Sequence, residues 1–366
     1  MSLTWLEINK ANILYNIGQF RKLAPRAELW PVVKSNAYGH GLIEIVEYLA
    51  EQADIAGFMV ANLDEALAIK NLTTKPIMVL SYFDLKDQEA LQKVDAQISL
   101  PVYDSETIDY LASLKKEFLV NVKIDTGTSR LGFSQDQVKS AIAKIENSAN
   151  LKIFSIFTHY AESEAEDQSF SQAQLKNFQN IIKDYKKYKI HSACSAASIS
   201  LPVAQADIIR AGLGFYGLWP SQITQSRAKK LKMDLRPLLS WKTKIIHIKQ
   251  LKKGDSVGYN RTYRCKEDCQ LAVLPIGYNE GYGRSLSNKS EVLILGQRFP
   301  VRGNICMNLT MVEIPRSLEV KVGEVVTLIG TDGQETITVE ELANNCQTIN
   351  YEIVTRINPN LKRLMR

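Results

Sequence analysis

The apolar run Leu29–Lys34 ends Pro31-Val32-Val33-Lys34 and passes into Ser35-Asn36-Ala37-Tyr38-Gly39-His40-Gly41. Read as a strand, it delivers an amine to the C-terminal rim, where barrel enzymes keep their chemistry. Partial desolvation lowers the pKa of such a lysine and leaves a neutral amine able to condense with a carbonyl. The plain alternative is a lysine that snorkels to solvent at a strand end. A second signal lies further on. Ser195-Ala196-Ala197-Ser198 reads as a small-residue helix start with Ser195 as its cap, and Arg210-Ala211-Gly212-Leu213-Gly214 follows another apolar run. Loops in these places build barrel phosphate sites from backbone N–H groups. Gly212 and Gly214 let the backbone approach an anion, although tight strand-to-helix packing explains a lone Gly-x-Gly equally well. A rim lysine and a phosphate cradle in one barrel suit a phosphorylated carbonyl cofactor that bonds lysine, and pyridoxal phosphate is that molecule.

Other residues have chemical reach with bland readings beside them. Alternation puts Lys123 and Asp125 on one face of a strand, where an ion pair is the simplest explanation. His159 is either a proton carrier at the rim or a buried, hydrogen-bonded ring. Gly258-Tyr259-Asn260 and Gly277-Tyr278-Asn279 are tyrosine-bearing turns, and most such tyrosines only pack. The five cysteines, Cys194, Cys265, Cys269, Cys306 and Cys346, are sparse. Cys265 and Cys269 have no second pair or nearby histidine to complete a metal site, so free thiols and no disulfide framework are expected.

The elements that must position these groups alternate. Strand-like runs at Leu29–Lys34, Ala56–Ala61, Pro76–Leu80, Ile98–Val102, Phe118–Asp125, Leu151–His159, Lys189–Ser195 and Asp207–Gly212 are separated by helical patterns such as Leu42–Ala50, Leu63–Ile69, Ser105–Leu114, Gln135–Ile145 and Gln172–Tyr185. Eight strands with crossover helices predict an α/β fold with an N-terminal (β/α)8 TIM-type barrel. An open doubly wound sheet is the rival, with fewer strands and its glycine loop after the first. Polar Ser221–Arg236, closed by Pro237, reads as a linker. Beyond it Trp241–Ile248, Ala272–Ile276, Glu291–Leu295, Leu309–Ile314, Val325–Ile329 and Thr336–Val339 predict a smaller, mainly β domain. The expected division is a barrel over residues 1–235, its first eight residues packing with the second domain, and a β domain over 236–366.

Composition narrows the classes. Lys plus Arg number 45 against 39 Asp plus Glu, scattered without a stripe, which argues against a nucleic-acid partner. No window nears ~18 consecutive apolar residues, and Met1–Asn16 carries no apolar leader core. A cytoplasmic protein without a membrane partner is expected.

In order, VVKSNAYGHG, KIDTGTSRLG, FTHYA, HSACSAAS, RAGLGFYGLWP, VGYNRTY, LPIGYNEGYGR, ICMN and INYE resemble the bacterial alanine racemase family from Trp5 to about Arg356. VVKSNAYGHG and the 19-residue separation of Tyr259 from Tyr278 are the most specific marks. The resemblance implies a pyridoxal-phosphate isomerase with a barrel, a C-terminal β domain and a head-to-tail homodimer with shared sites, interconverting L- and D-alanine for peptidoglycan. By position, Lys34 is similar to the lysine that bonds the cofactor and serves the D-enantiomer. Tyr259, from the partner, is similar to the base for the L-enantiomer. Tyr38, Ser195, Gly212, Leu213 and Tyr351 match phosphate-binding positions. Arg210 matches the residue facing the pyridine nitrogen, and His159 the histidine behind the cofactor. Arg130 and Met307 match substrate-carboxylate positions, Tyr278 the entrance, and Lys123 a lysine that many members carry as a carbamate. Departures from the family pattern are Cys194, Thr128, Ser129, Asn304 and Asn308, the last two bearing on substrate preference. Racemisation of another small amino acid such as serine is one alternative. A barrel decarboxylase is the other, but it would place an acid where Arg210 stands.

Overall fold

The structure, a computed structural model, describes residues 3–366. Met1 and Ser2, which open the stretch read above for a leader, lie outside the described residues. The chain divides into two compact units, Ala11–Ala37 with Leu42–Pro237, and Met1–Lys10 with Tyr38–Gly41 and Leu238–Arg366.

The first strand, β1 (Thr4–Ile8), belongs to the second unit. The first unit holds eight parallel strands among the described residues: β2 (Glu28–Pro31), β3 (Phe58–Asn62), β4 (Ile77–Tyr82), β5 (Ile98–Val102), β6 (Phe118–Lys123), β7 (Leu151–Phe157), β8 (Lys189–His191) and β9 (Ile208–Ala211). β3 to β8 pair in sequence order and β2 pairs β9. Single bridges, Leu29 to Ile55, Val32 to Met59 and Cys194 to Arg210, close the circuit into the expected barrel. β5 and β9 are buried along their whole length, as strands covered on both faces must be.

Helix boundaries follow capping chemistry. Asn62 and Asp104 accept the N–H groups of Glu65 (2.9 Å) and Thr107 (2.7 Å), which starts the helices Leu63–Ile69 and Ser105–Ser113 where the sequence placed them. The expected linker is not one. Ser221 caps a helix over Gln222–Lys230 that buries Thr224 and Ala228, so two small contacts suffice to dock an otherwise polar segment.

The second unit holds β10 (Leu239–Lys244), β11 (His247–Leu251), β12 (Ser256–Val257), β13 (Tyr263–Arg264), β14 (Cys269–Leu274), β15 (Glu291–Ile294), β16 (Gln297–Pro300), β17 (Thr310–Pro315), β18 (Val325–Asp332), β19 (Glu335–Ile337) and β20 (Lys362–Met365). A mixed sheet runs β16-β15-β18-β10-β1-β20 with β19 on β18; β11-β14-β17 form a second sheet, and β12-β13 a hairpin. β1 runs antiparallel to β10, Thr4 opposite Thr243, and parallel to β20, Trp5 opposite Lys362. Trp241 and Tyr282 meet edge to face at 5.9 Å in its core. The run expected as one strand, Trp241–Ile248, breaks into β10 and β11. Val339, expected in a strand, opens the helix Val339–Cys346 because Thr338 caps it, accepting Glu341 N–H at 3.1 Å.

Candidate active site

Strand pairing runs almost to the rim lysine: Val33 N–H donates to Met59 O at 2.7 Å. Immediately after Lys34 the backbone turns left-handed, with Ser35, Asn36, Ala37 and Tyr38 all at φ between 52 and 55°. Each carries a Cβ, and this conformation costs roughly 1–2 kcal/mol per residue. Three bonds hold Ser35 to Ala37 there. Ser35 N–H donates to Glu65 Oε1 (2.6 Å), Ala37 N–H to Val33 O (2.8 Å), and Asn36 Oδ1 accepts Leu42 N–H (2.8 Å). Strain maintained by surrounding bonds is a mark of functional backbone.

Around Lys34 the first unit gathers positive charge. Burial lowers the Lys34 pKa, Arg130 and Arg210 lower it further, and Glu65 opposes them. Lys123, at the end of β6, is pulled down to about 8 by burial, then by Arg130, Arg210 and Lys34. His159 is held well below the ordinary imidazole range by burial and the same cations, so its ring is neutral. Arg210, on β9 and 3% exposed, is the hub. Its Nη2 lies 2.7 Å from Ser192 O, 3.0 Å from Thr158 O and 3.0 Å from His159 Nδ1, while Nη1 donates to His191 Nδ1 at 2.9 Å.

Two expectations change. Asp125 forms no ion pair with Lys123 among the described residues. Its Oδ1 accepts the N–H groups of Gly127 (2.8 Å), Thr128 (2.9 Å) and Ser129 (3.2 Å). Burial pushes its carboxyl upward, but these donors outweigh that and hold it low, so the charge is committed to folding the loop before Arg130. Nor does Ser195 cap its helix. Cys194 occupies the cap position, and Ser195 Oγ accepts Gly212 N–H at 2.9 Å, tying together the loops after β8 and β9. A Cβ on Gly214 would come within 3.1 Å of the Ser195 side chain, so glycine keeps this corner open. Leu213 is buried beside it.

The second unit carries the remaining expected residues. Tyr38 and Tyr351 meet at 6.3 Å between ring centroids. Gly39 could be no other residue, because a Cβ would fall 1.8 Å from Val354 O. Tyr259 is 68% exposed at the tip of the β12–β13 hairpin. That tip is also wound left-handed, at Asn260 (φ 59°) and Arg261 (φ 47°), and Asn304 Nδ2 donates to Tyr259 O at 3.0 Å. Tyr278 and Met307 are exposed on adjoining loops, which are joined by Tyr278 N–H to Cys306 O (3.1 Å) and Asn279 N–H to Met307 O (2.9 Å). Asn308 Nδ2 donates to Glu280 Oε1 at 2.7 Å. The two asparagines that depart from the family pattern thus anchor loops that bear expected site residues.

Family models for the alanine racemase N-terminal domain and C-terminal domain match residues 8–220 and 238–365. The chain belongs to the alanine racemase family. It is 36% identical to the alanine racemase of Listeria monocytogenes, covering 98% of this chain and 97% of that one. It is 34% identical to that of Leptospira interrogans, covering 99% and 95%. The crystal structure of alanine racemase from Bacillus anthracis with bound L-Ala-P superimposes with a TM-score of 0.91 at 32% identity, covering 100% of this chain and 96% of that one.

Within this alanine racemase scaffold the donor set suits pyridoxal phosphate. A depressed amine, three further cations (Lys123, Arg130 and Arg210) and a hydroxyl at a glycine corner call for an anion bearing a carbonyl. The two carboxylates acting on the cluster, Glu65 and Asp125, are already engaged by backbone N–H groups. Sequence reading missed His191, whose ring stacks on Phe157 at 4.8 Å and faces Arg210. The legible signal was a histidine ending a short strand directly before the Ser195 loop.

Proposed function

We propose that this isomerase of the alanine racemase family interconverts L- and D-alanine with pyridoxal phosphate held on Lys34, using Lys34 and Tyr259 of the partner subunit as opposing bases. The observation that carries the reading is the Lys34 amine, whose pKa is lowered by burial and by the nearby Arg130 and Arg210. Bound there, the cofactor supplies an electron-withdrawing ring that makes the α-hydrogen of an attached amino acid removable. Racemisation takes that proton from one face and returns one to the other, so two proton carriers must flank the carbon. Lys34 is one. Tyr259, largely exposed on its own chain, suits a group delivered to a second copy, and this supports a homodimer with shared sites.

The remaining residues bind and orient. Ser195 Oγ, Gly212 and Leu213, with Tyr38 and Tyr351, are assigned to the phosphate. Arg210 presents a fixed cation to the ring nitrogen and keeps it unprotonated, because adjacent positive charges repel. His159 stands behind the ring. Arg130 and Met307 take the substrate carboxylate, and Tyr278 narrows the entrance. Lys123, with a pKa of about 8, has an amine fraction free to add carbon dioxide near neutral pH, releasing a proton and forming a carbamate anion that would pair with Arg130. Cytoplasmic supply of D-alanine to peptidoglycan rests on the resemblance.

The test follows L-alanine in heavy water by optical rotation and α-deuteration, with borohydride labelling of the resting enzyme. Loss of rotation with one deuteron per racemised molecule and a label on Lys34 are expected. A label elsewhere, or racemisation of serine but not alanine, overturns the mechanism or the substrate respectively.

A further inference from the structure

Four buried polar side chains form a hydrogen-bonded chain across the barrel strands, where branched apolar residues usually dominate. They come one from each of four neighbouring strands: Asn121 from β6, Ser155 from β7, His191 from β8 and Arg210 from β9. The first three are 0% exposed. Ser155 Oγ lies 2.7 Å from Asn121 Oδ1 and 3.0 Å from His191 Nε2, and His191 Nδ1 lies 2.9 Å from Arg210 Nη1.

The direction of this chain can be read from its Arg210 end. A guanidinium only donates, so His191 Nδ1 must present a lone pair. Burial and the Arg210 charge keep the ring neutral, so its one proton sits on Nε2 and is donated to Ser155 Oγ. Ser155 has a single proton of its own, which goes to Asn121 Oδ1. Run the other way, the chain would set an imidazole N–H against an arginine N–H. Asn121 presents its oxygen although this leaves its Nδ2 without a partner, so local satisfaction of the amide does not explain its orientation.

We propose that Asn121 and Ser155 are positioning residues that fix His191 in the Nε2–H tautomer and thereby lock the guanidinium of Arg210 in place. The inference deepens the assignment of Arg210 to the cofactor ring and rests on that reading for its consequence in catalysis. A buried Nε2–H left without an acceptor costs enough for about a tenfold effect on Arg210 placement.

The test uses the cofactor-loaded full chain labelled with 15N-histidine, with His191 signals identified by their loss in His191→Gln. A protonated Nε2 and a bare Nδ1, unchanged between about pH 5.5 and 8.5, are expected. Ser155→Ala and Asn121→Leu should move the His191 nitrogen shifts, alter the absorbance band of the bound cofactor and lower kcat about tenfold with KM nearly unchanged, while Ser155→Thr restores all three. A proton on Nδ1, a doubly protonated ring, or wild-type shifts and absorbance in both variants overturns the proposal. The tautomer is read in the unaltered chain, with His191→Gln used only for assignment, so misfolding of the Ser155 and Asn121 variants cannot shelter it. Because nitrogen shifts need no turnover, an inactive protein with the expected tautomer would sink the functional reading and leave this one standing.

Discussion

The two regions assigned to proton transfer are built in opposite ways. Lys34 sits at the end of a barrel strand, its amine depressed by burial and by cations contributed from β9 and the loop after β6. Tyr259 stands 68% exposed on a two-residue-strand hairpin whose tip is strained and anchored through a side-chain amide from Asn304. Both follow or precede left-handed non-glycine backbone, at residues 35–38 and 260–261. The barrel supplies a complete electrostatic environment for its base. The hairpin supplies only a position, and in the proposed reaction the surroundings that make its phenol useful would come from a second chain.

The largest effect expected is at the barrel base. Lys34→Ala should lower racemisation by roughly 10⁴-fold or more, abolish α-deuteration of both enantiomers and remove the borohydride label. Exchange persisting with either enantiomer would mean that another base serves this site. Tyr259→Phe should cost roughly 10²–10⁴-fold. Because the two enantiomers are equal in energy, kcat/KM must fall equally in both directions. The comparison sharpens in exchange: D-alanine should still acquire deuterium while L-alanine does not. Loss of both, with cofactor released, would make the tyrosine structural. Inactive Lys34→Ala and Tyr259→Phe chains, mixed, should regain partial activity, and verified heterodimers without it would break the shared-site reading.

A smaller effect tests the barrel's electrostatics. Folded Lys123 loses its proton near 8, whereas an unfolded lysine keeps it to about 10.5. Above pH 8 the unfolded chain therefore binds more protons, and stability contributed through this group rises until about 10.5 and is flat below 8. In carbon-dioxide-free buffer the denaturation midpoint of the wild type should gain on that of Lys123→Met across this window. Parallel curves would show the amine to be solvated. Smallest is Asn304→Ala. With an exposed bond removed, the melting temperature should hardly move, while kcat falls about threefold as the Tyr259 tip loosens. An unchanged kcat would show that the hairpin holds itself.

The barrel was legible because its strands are mostly apolar runs and its helices begin after side chains that cap, such as Asn62 and Asp104. Lys34, Arg210 and the Ser195–Gly212 corner could be found because strand ends and glycines mark positions. The left-handed turn after Lys34 could not, since Ser35, Asn36 and Ala37 lack the glycine signature of that conformation and are held there by Glu65 and Leu42 from elsewhere in the chain. The same limit hid the helix over Gln222–Lys230, which is polar apart from two small buried faces, and the role of Asp125, whose partners are backbone N–H groups that no side-chain pattern reveals. His191 escaped because its meaning lies in strands β7 and β9.

The place of β1 in its sheet has a consequence for biosynthesis. Leu6 and Ile8 are made before the barrel, yet their neighbours in β10 emerge roughly 230 residues later and those in β20 later still. At about 5–20 residues per second, this apolar segment waits on the order of 10–50 s before it can pair. Until then the growing chain carries an unpaired apolar segment ahead of an unfinished barrel, a weak point for aggregation when translation stalls.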